Sequence, residues 1–275
     1  MGEQSEPGQG KDMDLGQDAP HSARMYDYFL GGKTNYAVDR EAAEAVARLL
    51  PAVGTAARVN RAFMHRAVRT LAELGVRQFI DVGTGIPTSP NLHEVVQAVA
   101  PESRVAYVDN DPIVLVYADE LLDGSAEGET CYVQADAARP DEVIAAVKSR
   151  DVIDFEEPVA LSLNALLHFM PGEEEPYRIV GRLFGELAPG SYLSVSHATG
   201  DFAPEAMQAI VDTYTEAGTP VQVRTRADVE RFFDGLEMLD PGLVVAHRWR
   251  PEPGSGPGVV SDAQANLYAG VGRKP

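Results

Sequence analysis

The stretch Asp81-Val82-Gly83-Thr84-Gly85-Ile86-Pro87-Thr88 decides the fold. It continues Gln78-Phe79-Ile80, so a buried apolar strand over 78–82 runs directly into a Gly-x-Gly turn. A helix bearing Leu92, Val95, Val96 and Val99 on one face follows, with Ser89 placed to cap it and Pro90 at its first position. Glycines at such a turn let a ligand approach the backbone closely. A dinucleotide fingerprint wants Gly or Ala at position 88, where Thr88 stands, and Pro87 removes one backbone donor. The turn therefore suits a ligand other than NAD.

Outward from this turn, strands and helices alternate. Further strands are expected over 104–109, 130–135, 159–163 and 192–196, separated by helices over 113–122, 142–148 and 179–187. That rhythm builds an α/β domain on a parallel sheet with helices on both faces. Ahead of it lie three helical segments. The first is capped by Ser22 and stopped by Gly31-Gly32, the second ends at Pro51, and the third carries Val59, Phe63, Ala67 and Leu71. Helices near 203–215 and 226–233 end the alternation. Two strands, 243–247 and 265–271, joined by a Pro/Gly loop over 251–258, then suit an antiparallel pair. The expected organisation is a disordered acidic tail over 1–20, a helical cap over 21–75 and the α/β domain over 76–275.

Polar residues recur where the strands end: Asp81, Asp109-Asn110, Asp136-Ala137 and Asn164-Ala165. Ligands of open parallel sheets bind outside the carboxyl ends of the strands, so these residues share one rim. A carboxylate at the end of the second strand, 24 residues after Gly85, can accept both hydroxyls of a ribose. Asp111, before Pro112, supplies the helix cap there and leaves Asp109 free.

Composition narrows the partners. The 275 residues hold 23 Lys and Arg against 42 Asp and Glu, a formal charge of −19 that disfavours nucleic acid. No stretch approaches a membrane span, the first residues are polar, and the single cysteine, Cys131, suits a reducing compartment. A cytoplasmic location is expected. Gly32-Lys33-Thr34 is no phosphate loop, because Asp27 occupies the first glycine position and a helix precedes it. His93-Glu94-Val95-Val96-Gln97 lacks the second histidine of a zinc helix, and no metal is expected.

The element order, the Asp-x-Gly-x-Gly turn and the acidic end of strand two resemble the class I S-adenosylmethionine-dependent methyltransferases. More narrowly, the stretches 22–33, 60–63, 81–90 and 107–112, with Ser196-His197-Ala198, resemble a bacterial S-adenosyl methyltransferase family of unknown substrate. The resemblance implies a Rossmann-like, mostly parallel seven-stranded sheet with an antiparallel C-terminal strand. It also implies S-adenosylmethionine as cofactor, without a substrate; a small-molecule methyl acceptor is expected. Asp81, Gly83, Thr84 and Gly85 would surround its methionine portion, Asp109 and Asn110 its ribose, and Asp136 and Ala137 its adenine. Asn164 and Ala165 would lie near the sulfonium. A non-catalytic nucleoside-binding module and, less well supported, a nicotinamide dehydrogenase are the alternatives.

Two groups stay open in the sequence. Arg24, Met25, Tyr26, Tyr28, Lys33, Asn35 and Tyr36 form either a lid that shapes the acceptor pocket or a docked helix with half-buried tyrosines. His168 and His197, with Tyr28, are candidate catalytic groups. Either histidine could be a general base or a hydrogen-bonded structural residue.

Overall fold

The computed structural model describes residues 17–114, 124–252 and 260–275. The chain runs α1 (Ser22–Leu30), α2 (Ala37–Leu49), α3 (Val53–Glu73), β1 (Gln78–Val82), α4 (Leu92–Gln97), β2 (Arg104–Asp109), β3 (Glu129–Gln134) and α5 (Pro140–Lys148). It continues through β4 (Ala160–Asn164), α6 (Glu175–Gly185), β5 (Tyr192–Ala198), α7 (Pro204–Glu216), α8 (Arg226–Glu230), β6 (Glu237–Met238), β7 (Val244–Val245), α9 (Asp262–Ala265) and β8 (Leu267–Arg273).

The strands form one sheet in the order β3-β2-β1-β4-β5-β8-β6, with β7 also on β8. The first five are parallel, and β8 runs antiparallel to β5 from Tyr192↔Arg273 to Ala198↔Leu267. The chain leaves β1 toward β2 and β3 and later returns on its other side as β4. A crevice therefore opens between the carboxyl ends of β1 and β4, where such sheets bind ligands. The inner parallel strands β1, β2, β4 and β5 are largely buried, which explains why β2 and β4 read as apolar runs rather than alternations, while β3 is a part-exposed edge.

Among the described residues eight strands stand where seven were expected. The extra one, β6, is a two-residue exposed edge with no periodicity to read. The expected C-terminal pair exists, with Val244↔Ala269 and Val245↔Tyr268 in register, but β8 makes its long ladder with β5. Two caps also move by a residue or two. His21, not Ser22, is the N-cap residue of α1. Asn91, not Ser89, caps α4 in a reciprocal box with Glu94. The expected tail over 1–20 lies outside the described residues up to 16. Residues 17–20 are seated against the protein, Arg24 Nη2 donating to Ala19 O at 2.8 Å. The expected helix over 113–122 lies outside the described residues beyond 114.

Among the described residues, two of three apolar clusters position the site. The larger lies around the sheet, with Phe63, Ala67 and Leu71 of the 21-residue α3 fully buried and Phe63 edge-on to buried Trp249 at 5.4 Å. The smaller joins α1, α2 and α7 through Met25, Ala43, Val46, Met207 and Ile210. This second cluster sets the cap beside the carboxyl ends of the strands.

Candidate active site

A cavity of about 450 Å3 opens over those strand ends, within the range usual for small-molecule sites. All ten residues expected to hold a cofactor line it: Asp81, Gly83, Thr84, Gly85, Asp109, Asn110, Asp136, Ala137, Asn164 and Ala165. Gly83 and Gly85 adopt φ of +74° and +68°, a left-handed backbone that disfavours any side chain. Gly83 N and Thr84 N donate to Val108 O at 2.8 and 3.3 Å, which fastens the turn to β2. Ala165 stands at φ +54°, its N–H held by Ser196 Oγ at 2.9 Å, so the end of β4 keeps a costly conformation on the cavity wall.

The carboxylates divide the work. Asp81 accepts from Thr84 Oγ1 at 3.2 Å, and burial pushes its pKa up to about 6 against the pull of Ser162, Thr84 and Arg61. Asp109 is less free than expected. Its Oδ2 accepts from Gly85 N at 2.8 Å and its Oδ1 from Asp111 N at 2.9 Å, with burial raising its pKa. Each oxygen keeps a further lone pair for a ligand hydroxyl. Asp111 does cap the next segment, accepting from Ile113 N at 3.0 Å. Asp136 lies half-buried, its Oδ1 accepting from Ala138 N at 2.9 Å.

The segment 24–36 separates into parts. Only Tyr26 of the seven expected residues faces the cavity; among its α1 neighbours Ala23 and Phe29 also do. Arg24 is buried in an ion cluster, 3.2 Å from Asp39 and 3.9 Å from Asp111, with its guanidinium 5.1 Å from the Tyr36 ring centre. His21 Nδ1 lies 3.0 Å from Asp111 Oδ2, so this cluster pins α1 to the end of β2. Met25 fills the smaller apolar core, Asn35 donates to Asp27 Oδ2 at 2.8 Å, and Lys33 is exposed. Tyr28 is placed outside the cavity, its hydroxyl donating to Glu44 Oε1 at 3.3 Å. Side chains on one short helix point in all directions, and only the face toward β1 and β4 meets the cavity.

The two histidines also part company. His197 is fully buried away from the cavity, its Nδ1 donating to Ala198 O at 2.7 Å and its Nε2 accepting from Arg224 Nη1 at 2.8 Å. It holds Arg224, whose guanidinium donates to Leu167 O, Met170 O and Gly172 O, each at 3.0 Å. His168 lines the cavity, and burial with the nearby Arg224 charge lowers its pKa to about 4, so it is neutral at physiological pH.

Several lining residues had no assigned role in the sequence. Asn60 donates to Tyr26 Oη at 2.9 Å and accepts from Ser196 Oγ, while Tyr26 Oη donates to Ala57 O at 2.9 Å. This chain of bonds ties α1, α3 and β5 together at the cavity. A buried Asn inside the apolar stripe of α3 was the legible signal. Arg61, beside it, donates to Thr88 O and Pro90 O and sits near Asp81.

The model of the S-adenosyl methyltransferase family matches residues 8–275. The chain belongs to this family. Among solved structures, it is similar to a DUF574-family protein from Streptomyces avermitilis MA-4680, 46% identical with a TM-score of 0.91 over 95% of this chain and 100% of that one. A candidate methyltransferase from Thermobifida fusca YX is 36% identical, with a TM-score of 0.86 over 96% of this chain and 99% of that one. No curated protein matches the sequence. The family's cofactor is S-adenosylmethionine, and this S-adenosyl methyltransferase carries its glycine turn and carboxylate rim on the class I methyltransferase fold. Among the described residues no helix is long and apolar enough to cross a membrane, and no cluster of metal-ligating side chains occurs.

Proposed function

We propose that the cavity holds S-adenosylmethionine against the carboxyl ends of β1, β2 and β3 and admits a small-molecule methyl acceptor beside it. The observation that carries this reading is the donor set. Three carboxylates, Asp81, Asp109 and Asp136, ring a glycine turn on one cavity wall. Such a rim attracts a cation and accepts hydroxyl and amine protons, and it would repel the pyrophosphate of a dinucleotide. The cofactor supplies a methyl group on a positively charged sulfur that is its own leaving group.

Asp81 would receive the amino group of the methionine portion, and Arg61 its carboxylate. Asp109 and Asn110 would accept the ribose hydroxyls, and Asp136 with Ala137 would flank the adenine. Asn164 Nδ2 donates to Ser162 Oγ at 2.8 Å, which holds this side chain at the end of β4 beside the reacting region. Transfer to an acceptor then needs alignment and exclusion of water, which the packed α1 and α7 supply. A charge of −19 favours small molecules over nucleic acid, and the lone cysteine suits a cytoplasmic setting.

Calorimetric titration with S-adenosylmethionine and its demethylated product, with NAD as control, tests the reading. Binding of both, weakened roughly 10-fold or more in Asp109→Ala, is expected. No binding by the intact chain, or equal binding of NAD, would refute it.

A further inference from the structure

The cavity is chemically lopsided. Its carboxylate rim occupies the ends of β1, β2 and β3. The wall opposite is built from the smaller apolar cluster, where Phe29 of α1, Val46 and Leu50 at the end of α2, and Met207, Ile210 and Tyr214 of α7 all face the cavity. A core needs no such opening, because side chains at a packed interface close on one another. Here the α1–α2–α7 cluster instead turns part of its surface toward a chamber.

Charge is scarce on that side. Arg61 lies across the cavity with its guanidinium on the Thr88 and Pro90 carbonyls, and Asn60 and Tyr26 spend their polar groups on each other, Ala57 and Ser196. A carboxylate or phosphate placed between α2 and α7 would find no cation among the described lining residues there, and an unpaired buried charge is costly. Two polar groups do keep unused hydrogen-bonding capacity. His168 has a ring nitrogen, Nδ1, that is buried without a partner, and among the described residues neither of its ring nitrogens is hydrogen-bonded. The Tyr214 hydroxyl likewise takes no hydrogen bond among the described residues, and burial alone raises its pKa. The two lie on one aromatic wall. Phe169 stands between them, its ring centre 4.5 Å from His168 and 5.9 Å, edge-on, from Tyr214. Orphaned polar groups at the border of an apolar chamber point to a ligand that completes them.

We infer that the acceptor is an uncharged, ring-bearing small molecule whose apolar body fills the α1–α2–α7 chamber and whose hydroxyl is hydrogen-bonded by His168 and Tyr214. The inference rests on the methyltransferase reading of the same cavity. Burial, with the Arg224 charge that His197 fixes behind it, keeps the His168 imidazole neutral, so that it can accept a hydrogen bond from a hydroxyl. Flat rings suit the wall because Phe29, Phe169 and Tyr214 offer both ring faces and edges.

The test uses the full-length protein saturated with S-adenosylhomocysteine and three probes of one shape: 2-naphthol, naphthalene and 2-naphthoate. Calorimetry is expected to give 2-naphthol at least about 10-fold tighter than 2-naphthoate, the hydroxyl finding partners and the carboxylate no neutralising cation. Tyr214→Phe with His168→Leu should bring 2-naphthol down to the affinity of naphthalene while naphthalene binding is kept. Ile210→Glu should cut 2-naphthol binding about 10-fold or more, with S-adenosylhomocysteine affinity and the melting curve reporting an intact fold. Equal or tighter binding of 2-naphthoate, or no 2-naphthol binding by a protein that binds S-adenosylhomocysteine, would overturn the acceptor class alone. Failure of wild-type protein to bind S-adenosylhomocysteine would overturn the cofactor reading beneath it.

Discussion

Asp81→Asn should make the unliganded protein more stable and its cofactor affinity worse. The carboxyl sits buried at the end of β1, and its pKa rises from an ordinary 3.8 to about 6 because burial penalises the charge. At about 1.4 kcal/mol per pH unit, keeping Asp81 ionised at pH 7.5 costs on the order of 3 kcal/mol. The sign follows from proton binding. The folded protein holds this proton more tightly than the unfolded chain, so the group's contribution to stability is fully present below about pH 4 and is lost as pH rises through about 6. Asparagine carries no charge, so its advantage is full at pH 7.5, roughly half at pH 5 and gone near pH 4. Loss of hydrogen-bond strength with Thr84, 3.2 Å away, trims the gain. Binding moves the other way. Removing a charge-assisted bond to a cationic ligand costs about 1.5–3 kcal/mol, or about 10- to 150-fold in affinity. Thermal melts at pH 7.5 and 5, paired with calorimetric titration of S-adenosylmethionine, read both effects on one sample. A variant less stable than wild type at pH 7.5, or one whose affinity is unchanged within about twofold, would refute the reasoning.

Three further outcomes follow from the packing. His197→Ala should lower stability by about 2–4 kcal/mol in urea denaturation, because it opens a cavity and orphans a donor of buried Arg224. The pH profile of methyl transfer should keep its shape, since His197 lies away from the cavity; a shifted acid limb would show it to be the titrating group. Phe63→Ala, which removes the ring packed on Trp249, should cost about 3–5 kcal/mol by the same measurement. Tyr26→Phe should lower stability by about 1–3 kcal/mol, leaving Asn60 Nδ2 without its partner, and should weaken cofactor binding severalfold by calorimetry. Unchanged stability would mean that the Tyr26–Asn60 bond contributes nothing.

Much of the site was readable because strand ends are places of forced chemistry. In an apolar parallel strand every side chain before the last is committed to packing, so Asp81, Asp109, Asp136 and Asn164 stand out at the points where β1, β2, β3 and β4 run out. The helical cap was harder. Its density of tyrosines and charges is visible in 24–36, yet which of them face the cavity depends on the rotation of α1. The His21–Asp111 and Arg24–Asp39 pairs set that rotation, and both partners lie far away in sequence or on another element. Tyr28 and Tyr26 are two residues apart and end on opposite assignments for this reason. His168 and His197 look alike in sequence, and only the placement of Arg224 separates a buried structural ring from one that lines the cavity.

By itself the sequence determined the order of elements, the parallel sheet, the glycine turn and the carboxylate rim. These depend on local periodicity and on short-range turn chemistry, which any residue-by-residue reading can reach. The tertiary structure alone decided the apolar chamber. Val46, Ile210 and Tyr214 carry the same apolar and aromatic signature as core residues, and only the gap left between α2 and α7 where they meet turns part of a core into a wall.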